Sequence, residues 1–468
     1  MSSWRLPLEV CEDIIDHIPP RHILTSPVIF GISGDRRPPG HLTYRRDLCA
    51  CALTCRSWVP RTRIKLFCYV LLNSPKSGQA FVEAISASPE LGWYIQCLSI
   101  GTSHNRYQVK RPSEGWIYKV IQALPPITPN LHYLEYCNLP FPHPIFIALS
   151  AQFVTVKSLH LNSMRGDTPR RLAQILSAFK NVKELTITDP RFERDLIGRD
   201  FYYGRAQRPV NLNLVLGRDV DADRYNLHEL LIKSGLCGSL RKLSLEINKS
   251  QYPLLDSLVP HCSRTLRVLF ISFPSRVAEE SSLTFFHILR LMGLSHSKIE
   301  HLSVAIPTRE PIIDICDNMD DLPSSLVTLR LDTGMPFPKY SSSWAGVKRC
   351  HVSDSVLAGD RFPKLRSVEL RFRDLVDVRV KERSPKRRSH KRSPSPVEPS
   401  GWNLSTKTEE ALRSADRKGV FKDIFPNLYS KGLLWCGHWT PSVPQSVIFC
   451  VSGEKKWESR LTTRYEDL

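Results

Sequence analysis

One short apolar phrase recurs along the middle of this chain. It is an apolar residue, two variable ones, an apolar residue, one variable residue and a last apolar residue. It runs Ile95-Leu98-Ile100, Leu131-Leu134-Tyr136, Val156-Leu159-Leu161 and Val182-Leu185-Ile187. It resumes as Leu240-Leu243-Leu245, Leu266-Leu269-Ile271, Ile299-Leu302-Val304 and Leu326-Leu329-Leu331, and ends as Val347-Cys350-Val352 and Leu365-Val368-Leu370. Alternation of this kind predicts a short strand whose apolar side chains share one face. The stretches between phrases are amphipathic and predict helices. Thr168-Pro169 opens one that carries Leu172, Ile175, Leu176 and Phe179; another carries Leu254, Leu255 and Leu258.

The spacing organises these elements. Phrases begin 25 residues apart from Leu131 to Val156, 26 from Val156 to Val182 and 26 from Leu240 to Leu266. The 58 residues from Val182 to Leu240 fit two units, and Val210–Leu216 is the strand expected between them. The last two steps shrink to 21 and 18 residues, which predicts helix-free turns joining Leu326, Val347 and Leu365. One unit cannot bury its own apolar face, so such units stack into a parallel sheet with a continuous core. The pattern resembles a leucine-rich repeat. That resemblance implies an α/β fold with an irregular repeat solenoid over residues 72–376. No Gly-rich phosphate loop follows any phrase, against a doubly wound nucleotide-binding fold. The variable residue between the two inward ones is expected on the concave side. Those residues are Glu135, His160, Thr186, Ser244, Phe270, Ser303, Arg330, His351 and Glu369. As a set they are the candidate surface for a protein target.

Ahead of the repeats the pattern is helical. Pro7 suits a first helical turn, and Val10, Ile14, Ile15 and Ile18 share one face of the helix it opens. Asp47 is the expected cap of a second helix, with Leu48, Cys51, Ala52 and Cys55 on one side and Trp58 following. Pro60 opens a third, carrying Ile64, Phe67 and Leu71. Residues 19–46 hold Pro-Pro twice with Gly31, Gly34 and Gly40, and read as a surface loop.

Leu6-Pro7-x-Glu9, the apolar pair Ile14-Ile15, and Leu53-Thr54-Cys55-Arg56-Ser57-Trp58 resemble the F-box family across residues 5–71. The long insert at 19–46 departs from that family's short connection. The resemblance implies three helices that dock on a Skp-type adaptor joined to a cullin–RING ubiquitin ligase. Leu6, Pro7, Ile14, Ile15, Leu48, Leu53 and Trp58 would meet the adaptor, with Glu9 and Arg56 supporting the helix pair.

Composition adds limits. The chain has 468 residues, enough for two or three domains, and 41% are apolar. Its start, Met1-Ser2-Ser3-Trp4-Arg5, lacks the apolar run of a signal peptide, and no stretch approaches the ~18 apolar residues of a membrane helix. A cytoplasmic or nuclear location without membrane insertion is therefore expected. The 13 cysteines are scattered, many inside apolar patterns, and read as small hydrophobes rather than a disulfide framework.

Net charge is +19, and part of it is concentrated. Residues 377–400 form a basic Ser/Pro segment, with eight Lys/Arg and two acids between Asp377 and Pro396. It reads as a disordered insert, a nuclear localisation signal or a nucleic-acid tether. Ser384, Ser393 and Ser395 precede prolines and are phosphorylation candidates. Residues 401–468 are expected to form a helix after Thr406-x-x-Glu409 and a capping repeat around Leu433–Trp439. Cys436 and His438 lack a companion pair at zinc spacing, so core packing rather than metal binding is expected there.

No nucleophile elbow, metalloprotease helix, phosphate loop or kinase signature occurs. The expectation is a non-enzyme without cofactors: a substrate-recognition subunit of a ubiquitin ligase. A ligase-independent scaffold and a nuclear nucleic-acid-associated protein using the basic insert are the alternatives.

Overall fold

The computed structural model describes residues 7–17, 40–101, 115–139, 147, 151–166, 169–188, 190–192, 210–215, 231–233, 235–246, 252–272, 294, 297–306, 322–333, 350–373, 414, 420–440, 443–450 and 459–463. It is an α/β protein of two compact units, Met1–Thr265 and Leu266–Leu468.

The first unit opens with helices α1 (Leu8–His17), α2 (Gly40–Thr54) and α3 (Val59–Cys68). Two sequence expectations change here. The second helix starts at Gly40, seven residues before the cap expected at Asp47, so the end of the predicted loop is helical. The third helix stops at Cys68. Tyr69–Leu72 is already a strand, β1, and its Leu71 pairs with Ser99 instead of sitting on a helix. Tyr69 and Val70 are a β-favouring pair, and extended backbone at Tyr69 ends the helix.

Six further strands join β1 in parallel: β2 (Cys97–Gly101), β3 (Tyr133–Cys137), β4 (Ser158–Asn162), β6 (Glu184–Thr188), β8 (Asn211–Val215) and β9 (Lys242–Glu246). A two-residue pair, β5 (Arg165–Gly166) with β7 (Arg191–Phe192), stands apart from the sheet. The strand expected within Val210–Leu216 is β8. Register is strict. Leu98, Leu134, Leu159, Leu185, Leu212 and Leu243 are successive partners across the sheet, and all are buried. Each such leucine contributes about 1.5–3 kcal/mol by leaving water.

Helices α4 (Pro75–Ala87), α5 (Gly115–Ala123), α6 (Pro169–Ala178) and α7 (Tyr252–Cys262) connect these strands or follow the last. Ser74 caps α4 reciprocally with Ser77. Gly78 lets α4 approach α5, because a Cβ there would stand 2.4 Å from the Trp116 ring. In α6, Leu172, Ile175 and Leu176 are buried, as their spacing predicts.

The second unit has five parallel strands: β10 (Val268–Ser272), β11 (His301–Ile306), β12 (Thr328–Thr333), β13 (Ser367–Arg373) and β14 (Leu434–Thr440). β15 (Val443–Cys450) and β16 (Ser459–Thr463) then continue the sheet antiparallel. Cys436 is buried within β14, beside Leu370. The two short units expected between Leu326 and Leu365 do not form. Thr328 pairs directly with Ser367, and residues Cys350–Ala358 are helix α8. His351 therefore sits on a helix, not on the sheet face.

Short helices α9 (Val420–Ile424) and α10 (Pro426–Ser430) precede β14. Asp354 of α8 is fully buried and accepts the backbone amides of Asn427 and Leu428 at 2.7 and 2.8 Å. Lys431 returns a bond to the Ala358 carbonyl at the end of α8. Each helix thus supplies the cap the other lacks.

Candidate functional site

The N-terminal helices sort the adaptor candidates into two kinds. Ile15 and Leu48 are wholly buried in one cluster, with Cys51, Trp58 and Leu66 packed against it. Thr62, also fully buried, donates to the Trp58 carbonyl at 2.9 Å and fixes the start of α3. Arg61 grips the Asp16 carboxylate with two nitrogens, and Lys65 stands 3.3 Å from it. The hydrogen bond from Arg61 holds the Asp16 carboxyl below its ordinary pKa. Apolar packing and this ion pair together bind α1 to α3.

The other candidates face outward. Ile14 is 42% exposed, and Leu53 at the end of α2 is 87% exposed. Val10, one turn before Ile14, is 41% exposed. Pro7, Glu9 and Arg56 are exposed, and Leu6 lies outside the described residues. So Ile15, Leu48 and Trp58 build the helix cluster, while Val10, Ile14 and Leu53 are exposed.

The second candidate region is the polar row of the sheet. In the first unit, Glu135, His160, Thr186, Asn213 and Ser244 are successive partners on β3, β4, β6, β8 and β9. In the second unit the row is Phe270, Ser303, Arg330 and Glu369, followed by Trp435. Register thus aligns the predicted residues as expected, His351 excepted. Burial differs from expectation. His160, Thr186, Phe270, Ser303, Arg330 and Glu369 are all buried, and only Glu135 and Ser244 are partly exposed.

Their contacts are internal. Tyr133 and His160 share a hydrogen bond of 2.7 Å at Nδ1, with Glu135 3.8 Å from the same nitrogen. Burial pushes the His160 pKa down, and Glu135 only partly opposes it. Arg330 Nε donates to Glu369 at 2.6 Å, and Arg371 Nη2 donates to the same oxygen at 3.0 Å. Burial alone would raise the Glu369 pKa, but the two guanidinium groups outweigh it and hold the carboxyl low. Asp332 stands 3.9 Å from Arg371, so two cations and two carboxylates balance in this cluster.

Two sets of residues escaped the sequence reading. Asn130, Thr155, Asn181 and Ser325 each precede the first apolar residue of a phrase. Each donates to a backbone carbonyl one unit earlier: Trp93, Leu131, Val154 and Ile299 respectively. A polar residue recurring just before most of the phrases was the available signal. The other set is the residue just after that first apolar position, which is basic in several units. The basic Ser/Pro segment, with Ser384, Ser393 and Ser395, lies outside the described residues, as does nearly all of the helix expected after Thr406.

Among the described residues, no helix is long and apolar enough to cross a membrane. The chain matches no protein-family profile, and no curated protein is detectably similar to it.

Proposed function

We propose that this chain is the substrate-recognition subunit of a cullin–RING ubiquitin ligase. Its N-terminal helices would form an F-box that docks on a Skp-type adaptor, and the parallel-strand region would be a leucine-rich-repeat-like solenoid that holds a protein target. The observation that carries this reading is the exposure of Val10, Ile14 and Leu53 on the two helices that precede the Cys55-Arg56-Ser57-Trp58 motif. A cluster stabilised from behind by Ile15, Leu48 and Trp58 needs no exposed leucine for its own folding. An adaptor groove would cover it.

The receptor performs no chemistry in this account. It raises the effective concentration of target lysines beside the ubiquitin-loaded enzyme. Co-expression with a Skp-type adaptor tests the reading. A one-to-one complex that survives size-exclusion chromatography is expected. Separate elution of two folded proteins would leave the strand region as a scaffold without a ligase.

A further inference from the structure

If the sheet's polar row is buried, a target must meet the repeats elsewhere. The strand starts of the first unit offer such a place. His132, Lys157, Lys183 and Arg241 each stand immediately before a strand, and all are exposed. Backbone bonds stack them as neighbours. The Lys157 amide donates to the His132 carbonyl at 2.8 Å, and the Lys183 amide to Lys157 at 2.7 Å. Val210 then bonds to Lys183 at 2.9 Å, and Arg241 to Val210 at 2.7 Å. Lys180, also exposed, adds a further cation at this edge.

Among the described residues, none of Lys157, Lys180, Lys183 and Arg241 joins an ion pair. In the second unit Arg267 and Glu300 neutralise each other at 2.9 Å, leaving Arg366 before β13 as an exposed cation at the equivalent position. Glu184, the first residue of β6, is the acid next in sequence to the row. Val154 and Trp93, each 63% exposed, lie along the same edge, where Asn181 and Asn130 hold their carbonyls.

We propose that this row, Lys157 and Lys183 at its centre, docks an extended acidic segment of the protein target. The inference rests on the receptor reading. Parallel strands lie about 4.8 Å apart, so the row from His132 to Arg241 spans about 19 Å. An extended segment covers that distance in roughly six residues. Outward positions of such a segment recur about every 6.6 Å, close enough to the ~4.8 Å row spacing for flexible lysine side chains to reach their carboxylates. Val154 suits an apolar side chain of a polypeptide, which a nucleic acid does not carry, whereas Trp93 can pack against either.

The test is fluorescence anisotropy with the full-length chain and a labelled ten-residue oligoglutamate, beside a ten-nucleotide oligouridylate. The Lys157→Glu/Lys183→Glu variant is compared with Lys76→Glu/Lys298→Glu, which removes the same charge from exposed lysines elsewhere. Wild type is expected to bind oligoglutamate. The first variant should bind at least about tenfold more weakly, and the control within about twofold of wild type. Lys157→Gln/Lys183→Gln replaces the charge reversal if circular dichroism shows that it misfolds. No binding by wild type, equal losses in both variants, or no loss in the first would overturn the proposal. So would tighter oligouridylate binding that the first variant loses, which would make this edge a nucleic-acid surface. Adaptor binding by wild type separates the two claims. If wild type binds the adaptor but not oligoglutamate, the docking row falls alone. If oligoglutamate binding holds and the adaptor does not bind, the receptor reading falls alone.

Discussion

Ile15 of α1 and Leu48 of α2 pack in one fully buried cluster, while Ile14 and Leu53 on the same helices remain in solvent. The two pairs should respond differently to substitution. Leu48→Ala removes buried methyl groups and leaves a cavity, at a cost of about 2–5 kcal/mol to the helix cluster. Leu53→Asp alters an 87% exposed side chain and should cost about 1 kcal/mol or less, mainly from an acid in the last turn of α2. Chemical denaturation followed by the fluorescence of Trp58 and the other tryptophans distinguishes the two.

Glu369 joins Arg330 and Arg371, and all three are buried. Glu369→Ala would leave two guanidinium groups facing each other without their shared carboxylate. Breaking a buried pair from one side costs about 3–5 kcal/mol. A lower thermal midpoint is expected for Glu369→Ala, and a much smaller drop for Glu369→Asp if its shorter side chain still reaches Arg330. Equal drops in both would mean that shape, not charge, holds this cluster.

Asp354 is the only sequence-distant side chain bonded to the Asn427 and Leu428 amides among the described residues. Asp354→Ala removes both acceptors and should cost about 1–3 kcal/mol. Hydrogen exchange at Asn427 and Leu428 should accelerate selectively, whereas amides of the β11–β12 ladder should keep their protection unless the whole unit unfolds.

His160 predicts a pH dependence. Its ordinary pKa is 6.5, and burial lowers it in the folded protein. As pH falls below 6.5, the unfolded chain binds a proton that the folded chain does not. Stability from this residue is therefore complete above that pH and is lost as pH falls toward the folded value. The urea midpoint of wild type should drop between about pH 7.5 and about pH 5.5. His160→Gln should show a smaller drop over the same range.

Much of this arrangement is legible in the sequence because the strand phrase repeats its burial pattern. Leu134 with Tyr136 and Leu159 with Leu161 are each buried on the side their alternation predicts. The misread phrase shows where that logic fails. Val347-Cys350-Val352 fits the strand template, yet Cys350–Ala358 is a helix in which Asp354, Leu357 and Ala358 are buried among the described side chains. Three apolar positions are too few to separate the two periods, and the buried acid disguised the helical one. Asp354 is inside because it caps α10, a partner 73 residues away that no local pattern reveals. The polar sheet row was legible in register and not in burial. Alternation tells which side a residue faces, not whether the chain's own contacts consume it. Arg330 and Glu369 look like a binding pair in sequence, but they bond to each other.

The most direct measurement is the affinity of purified full-length chain for a Skp-type adaptor by calorimetry, for wild type and for Ile14→Asp/Leu53→Asp. Wild type is expected to bind, and the variant, still folded by circular dichroism, to bind at least about tenfold more weakly. Equal binding by both, or none by folded wild type, would contradict the adaptor-docking role of the N-terminal helices.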